Sequence, residues 1–153
     1  MARRPLPPYP ADGSADEVEA KFYDALRRAD IEALMALWTD DEEIVCVHPG
    51  GPRVIGAGAI RASFEAIFAN GGIPVQFEQV HRIQQLGSAL HHLVETVQVQ
   101  GQNGPQTAWV LATNWFVHTA HGWRLASHHA SPGTLAEGGA HNSGGDTIPS
   151  TLH

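Results

Sequence analysis

DIEALMALWTDDEEIVCVHPGGPRVIGAG, Asp30–Gly58, is the stretch whose reading decides the fold. Asp30 can cap a helix, and Leu34, Leu37 and Trp38 follow at helical spacing, which predicts a short helix over Ile31–Trp38. Four acids, Asp40–Glu43, form a turn, and Ile44–Val47 then reads as an apolar strand. His48-Pro49-Gly50-Gly51 stops that strand, and Ile55-Gly56-Ala57-Gly58 leads into a further helix. A titratable imidazole therefore closes an apolar strand beside a Pro-Gly-Gly turn, where backbone and ligand can approach closely. This pattern points to a pocket.

Upstream, Ser14 or Asp16 can cap a helix running to Arg28, with Val18, Phe22, Ala25 and Leu26 along one face. Downstream, a third helix over 59–70 presents Ile60, Phe64, Ile67 and Phe68 and stops at Gly71-Gly72. The remainder alternates as β-structure, with strands at 74–85, 88–100, 106–119 and 123–131 joined by short turns that make neighbours antiparallel. Within 106–119, Trp109, Leu111 and Trp115 oppose Val110, Ala112 and Phe116, so both faces are apolar. Such a strand calls for helices on one side and a partner subunit on the other. Helices followed by a four- or five-stranded antiparallel sheet make an α+β domain over 14–132. Residues 1–13 are read as a Pro-rich arm, and residues 133–153 as a flexible Gly/Ser/His tail.

Composition narrows the class. Among 153 residues, nine Lys and Arg face sixteen Asp and Glu, giving a net charge of −7 with ten histidines neutral. That balance carries neither a nucleic-acid footprint nor a patch for anionic membranes. Cys46 stands alone, so no intrachain disulfide forms and a reducing cytoplasm is expected. Arg3-Arg4 precedes prolines rather than an apolar core, so no signal peptide and no membrane span is read.

The order of elements, with Ala29-Asp30-Ile31-Glu32-Ala33-Leu34, Trp38-Thr39-Asp40-Asp41, Val47-His48-Pro49-Gly50-Gly51 and Gly122-Trp123-Arg124-Leu125, resembles the nuclear transport factor two-like superfamily. Within it the chain looks most similar to the SnoaL-like, ketosteroid-isomerase-like and kinase-association branches. The resemblance covers about residues 14–132. It implies a cystatin-like curved antiparallel sheet wrapped around three N-terminal helices, an α+β cone or barrel with an internal pocket, often in a homodimer. It does not imply one activity, because the superfamily hosts isomerases, cyclases, hydrolases, dehydratases and non-catalytic binders. In the isomerases, a first-helix tyrosine lies eight positions before the acid opening the second helix. That position here is Phe22, with Tyr23 turned about 100° away. The family's general-base aspartate before a proline corresponds to His48 before Pro49. Both positions depart from the isomerase pattern.

The candidate pocket residues are Phe22, Trp38, Cys46, His48, Phe64, Asn114, Trp115 and His129, with His48 the candidate general base. Strand alternation separates His128 from His129 and His91 from His92, so only one of each pair can face a cavity. Glu95 shares the parity of His91, and such pairs read most simply as cross-strand contacts on a solvated or dimer face. No HExxH or CxxC spacing occurs, and neither a metal nor another cofactor is expected. Three readings remain open. The chain binds a small, largely apolar molecule in a conical pocket; or it is a cofactor-independent isomerase, cyclase, hydratase or epoxide hydrolase using His48; or it is an association domain that dimerises through strand 106–119.

Overall fold

The computed structural model describes residues 13–133, so almost all of the Pro-rich arm and of the C-terminal tail lies outside the described residues. Helix α1, Ala15–Arg28, starts where the Ser14 side chain accepts a hydrogen bond from Glu17 N at 3.1 Å. Its buried stripe is Ala15, Val18, Glu19, Phe22, Tyr23, Ala25 and Leu26. This stripe is wide enough to bring Phe22 and Tyr23 into the interior together. The chain leaves α1 through Ala29 in the left-handed conformation, φ 54°. Asp30 then caps α2, Ile31–Met35, by accepting from Ala33 N at 3.0 Å. The helix ends three residues before Trp38, which instead forms a bridge to Leu125 on the last strand.

Strand β1, Val45–Val47, and the short β2, Arg53–Ile55, form a hairpin around the His48–Gly51 turn. The sequence reading took Ile55 only as a lead into the third helix, because three residues are too few to show alternation. Helix α3, Ala57–Phe68, follows, and then four long strands: β3, Val75–Gln84; β4, Ser88–Gly101; β5, Gly104–Thr119; and β6, Gly122–Pro132. The sheet is six-stranded in the order β2-β1-β6-β5-β4-β3. It is curved but not closed into a barrel. All neighbours are antiparallel except β1 and β6. The fold is α+β.

The helices cover one face of the sheet. Ala108, Val110, Ala112, Asn114 and Phe116 of β5 point into the core, while Trp109, Leu111, Thr113, Trp115 and Val117 occupy the other face. That outer face is partly exposed in the single chain, with Trp115 at 43%. A bulge in β6 decides which residues join the core. Trp115 pairs with Ser127 but Phe116 pairs with Leu125, leaving Ala126 as the extra residue. Strict alternation would put Leu125 on the face of Ser127 and His129. The bulge instead sends Leu125, His128 and Ala130 inward and leaves His129 exposed.

The α1–β3 corner is held by close backbone approach. Ile73 N donates to Leu26 O at 2.9 Å and Arg27 Nη1 to Val75 O at 3.0 Å. A Cβ at Gly72 would sit 1.9 Å from Arg27 O, so only glycine fits. Among the described residues, no helix is long and apolar enough to cross a membrane.

Candidate functional site

Among the described residues, five polar or charged side chains are buried on the inner face: Glu19, His91, Glu95, Asn114 and His128. Helical spacing puts Glu19 and Tyr23 of α1 one turn apart on the same stripe, above β4 and β5. Period-two alternation puts His91 and Glu95 on the inner face of β4, and the β5–β6 register sets Asn114 opposite His128.

Asn114 is the hub. Its Nδ2 donates to Glu19 Oε2 at 2.9 Å and to the Tyr23 hydroxyl at 3.2 Å. Its Oδ1 therefore faces His128 Nδ1, at 2.6 Å, and accepts from it. Tyr23 in turn donates to Glu95 Oε2 at 2.8 Å. His128 Nε2 lies 3.9 Å from the same oxygen. On the other side, Glu19 Oε1 pairs with His91 Nδ1 at 2.9 Å.

This cluster perturbs its own acids. Burial pushes the Glu95 carboxyl up to about 7, against the opposing hydrogen bond from Tyr23 and with help from the Glu19 charge. Burial, and then the Glu95 charge, raises the Tyr23 phenol well above its ordinary value. A carboxyl poised near neutrality beside a phenol donor and an imidazole is a constellation that can bind, or exchange a proton with, a polar group on a ligand.

His48 stands apart from this cluster. Ser63 Oγ donates to Ile60 O at 2.7 Å, so its oxygen accepts the proton of His48 Nε2 at 3.0 Å. Burial lowers the His48 pKa, which favours the neutral ring. The ring packs edge-on against Phe64 at 4.7 Å, Phe64 packs against Phe22 at 6.3 Å, and Phe22 against His128 at 4.9 Å. Two aromatic rings thus separate His48 from the polar cluster. Cys46 Sγ lies 3.9 Å from His48 Nε2, and burial pushes its thiol up to about 12, so it stays protonated and packs as a small apolar group.

The other sequence candidates fall in three places. Phe22, Phe64 and Cys46 belong to the apolar core beside His48, Trp38 is buried where it bridges to Leu125 of β6, and Asn114 is the hub of the cluster. Trp115 and His129 lie on the outer face, on the opposite side of the sheet from the helices. They do not share a cavity with His48. His91 and Glu95, read in sequence as a pair on a solvated or dimer face, are 0% and 1% exposed beneath α1. What sequence reasoning missed is Glu19 and Tyr23 at i and i+4 within an apolar stripe, a signal that a polar residue is aimed at the core.

Two of the clefts among the described residues lie against the sheet. One of about 370 Å³ lies between the end of α3 and β4, lined by Ile67, Ile73, Pro74, Val97 and Val99 among others. Val97 shares the inner face of β4 with Glu95, two residues away. The other, about 500 Å³, lies on the outer face over His81, His92, Leu111, Thr113 and His129. It is the larger, but the buried titratable groups are on the opposite side of the sheet.

A family model described as the SnoaL-like domain matches residues 16–134. The chain belongs to the SnoaL-like domain family. Solved relatives agree with that assignment. A protein from Streptomyces avermitilis, provisionally named a dehydratase of the nuclear transport factor two-like family, is 34% identical to this SnoaL-like chain, with a TM-score of 0.69. The match covers 76% of this chain and 92% of that one. A protein from Thiobacillus denitrificans, provisionally named a calcium/calmodulin-dependent protein kinase type II association domain, is 29% identical with a TM-score of 0.72, covering 86% and 100%. A ketosteroid isomerase-like protein from Erwinia carotovora atroseptica, 20% identical with a TM-score of 0.66 over 76% and 92%, shares the fold. No curated protein matches the sequence at a significant level.

Proposed function

We propose that this SnoaL-like domain binds a small, largely apolar molecule on the concave side of its sheet. The ligand enters by the cleft between α3 and β4 and presents one polar group to Tyr23 and Glu95. The observation that carries this reading is Glu95, fully buried, hydrogen-bonded to Tyr23 and two residues from the apolar lining residue Val97. A buried network of this kind costs desolvation energy that an apolar core would avoid, and a ligand-facing role accounts for it.

A second reading gains support from the same group. A carboxyl with a pKa of about 7 can accept and return a proton at neutral pH, so Glu95, with Tyr23 as donor, suits a cofactor-independent isomerisation or hydration better than His48 does. His48 remains the alternative base at the other end of the core, with Ser63 fixing its tautomer. A third element is association. The outer face of β4–β6, bearing Leu90, Val94, Leu111 and Trp115, is proposed as the surface that meets a second copy.

The test uses 2-naphthol, a flat apolar phenol, followed by its fluorescence. Saturable binding that weakens about tenfold or more in Tyr23→Phe and Glu95→Gln supports the site. Binding that is absent, or as tight in both variants as in the wild type, removes it. A turnover assay on cyclic enones then separates binding from chemistry, since only the second reading predicts product.

A further inference from the structure

Outside the Tyr23–Glu95 centre, one arrangement has an electrostatic defect. His91 is 0% exposed, and its Nδ1 is held by the Glu19 carboxylate at 2.9 Å. Its other nitrogen, Nε2, is buried without a hydrogen-bond partner among the described residues. That nitrogen lies 3.9 Å from Asp16 Oδ1. With the proton on Nδ1, a bare lone pair faces a carboxylate, two electron-rich groups too far apart to share a hydrogen bond. Something positive belongs between them.

We propose that Asp16, Glu19 and His91 form a site for a divalent first-row metal ion of the Zn²⁺ class. One donor atom from each residue lies within 4.8 Å of the others. His91 Nε2 and Asp16 Oδ1 are the ligands. Glu19 positions the ring, since a carboxylate on the distal imidazole nitrogen fixes the ligating tautomer and raises its basicity. Tetrahedral Zn²⁺ with bonds near 2.1 Å needs donors roughly 3.4 Å apart, a small adjustment for Asp16, whose side chain is 57% exposed. A cleft of about 180 Å³ bordered by Asp16, Arg82, Gln84 and Trp123 gives water access to the remaining positions. An imidazole nitrogen and one carboxylate oxygen, with water completing the shell, make a borderline donor set, suited to zinc rather than to calcium or magnesium.

The competing cation is part of the chain. Arg82 Nε holds Asp16 Oδ1 at 2.8 Å, and its side chain is 45% exposed. The ion must displace this guanidinium, and an exposed ion pair of that kind is weak enough to yield. Arg82 therefore sets the affinity of the site.

Isothermal titration of the full chain with ZnCl₂ at pH 7.5 tests the proposal, with the visible absorption of a Co²⁺ complex as a second readout. Asp16 and Arg82 are partly exposed, so both variants should fold. The expected result is saturable 1:1 binding, weakened at least about tenfold in Asp16→Asn and tightened severalfold in Arg82→Gln. Two results overturn it: no saturable binding by the wild type, or equal binding by Asp16→Asn, which would assign the ion to histidines elsewhere. Tightening in Arg82→Gln is an effect that those other histidines would not produce.

Discussion

Glu95 sets the behaviour of the site at the scale of single residues. Its carboxyl stays protonated in the folded protein up to about 7, while in the unfolded chain it ionises near the ordinary 4.5. Between these values the folded state holds more protons. The contribution is present in full below about 4.5 and is lost as pH rises through about 7, by up to about 3 kcal/mol. His48 runs the other way. Its lowered pKa means that the folded state holds fewer protons, so its contribution is kept above the ordinary 6.5 and lost on acidification. Urea unfolding of wild type and Glu95→Gln at several pH values separates the two. The stability difference between them should change by a few kcal/mol between pH 4.5 and 7, with the wild type losing ground as pH rises; a flat difference contradicts the assignment. Cys46 provides a simpler check. With its thiol pushed up to about 12 and its side chain buried, native protein at pH 8 should resist iodoacetamide for hours and react only on unfolding.

Among the elements, helix ends and one bulge place the site. Ala29 takes a left-handed conformation at the end of α1, where a Cβ is strained. Ala29→Gly should raise stability by roughly 0.5–1 kcal/mol in thermal unfolding. Gly72→Ala should do the opposite, by about 2 kcal/mol or more, because its Cβ meets Arg27 O. The sequence was readable wherever hydrophobic period dominated. The predicted strands at 74–85, 88–100, 106–119 and 123–131 fall within a few residues of β3 to β6, and Ser14 and Asp30 cap the first two helices. It was unreadable where one residue changes the register. The Ala126 bulge puts Leu125 inside with His128, and no alternation rule foretells the position of a bulge. Likewise Glu95 and His91 look like surface residues until α1 is laid over them with Glu19 and Tyr23.

At the scale of the whole molecule, the sheet separates two surfaces. Its helix-covered side carries the buried cluster, and its outer side carries Trp109, Leu111 and Trp115 in a partly exposed band. If a second copy covers that band, Trp115→Glu should shift the mass measured by light scattering from dimer to monomer without loss of secondary structure. The proposed centre depends on the state of one carboxyl group, that of Glu95, buried beneath the helices. A ¹³C-glutamate NMR titration of the intact chain, with Glu95 assigned by its loss in Glu95→Gln, measures that state directly. The expected result is a Glu95 midpoint near pH 7. A midpoint near 4.5 would mean that Glu95 meets water freely, and the proposed centre would not exist.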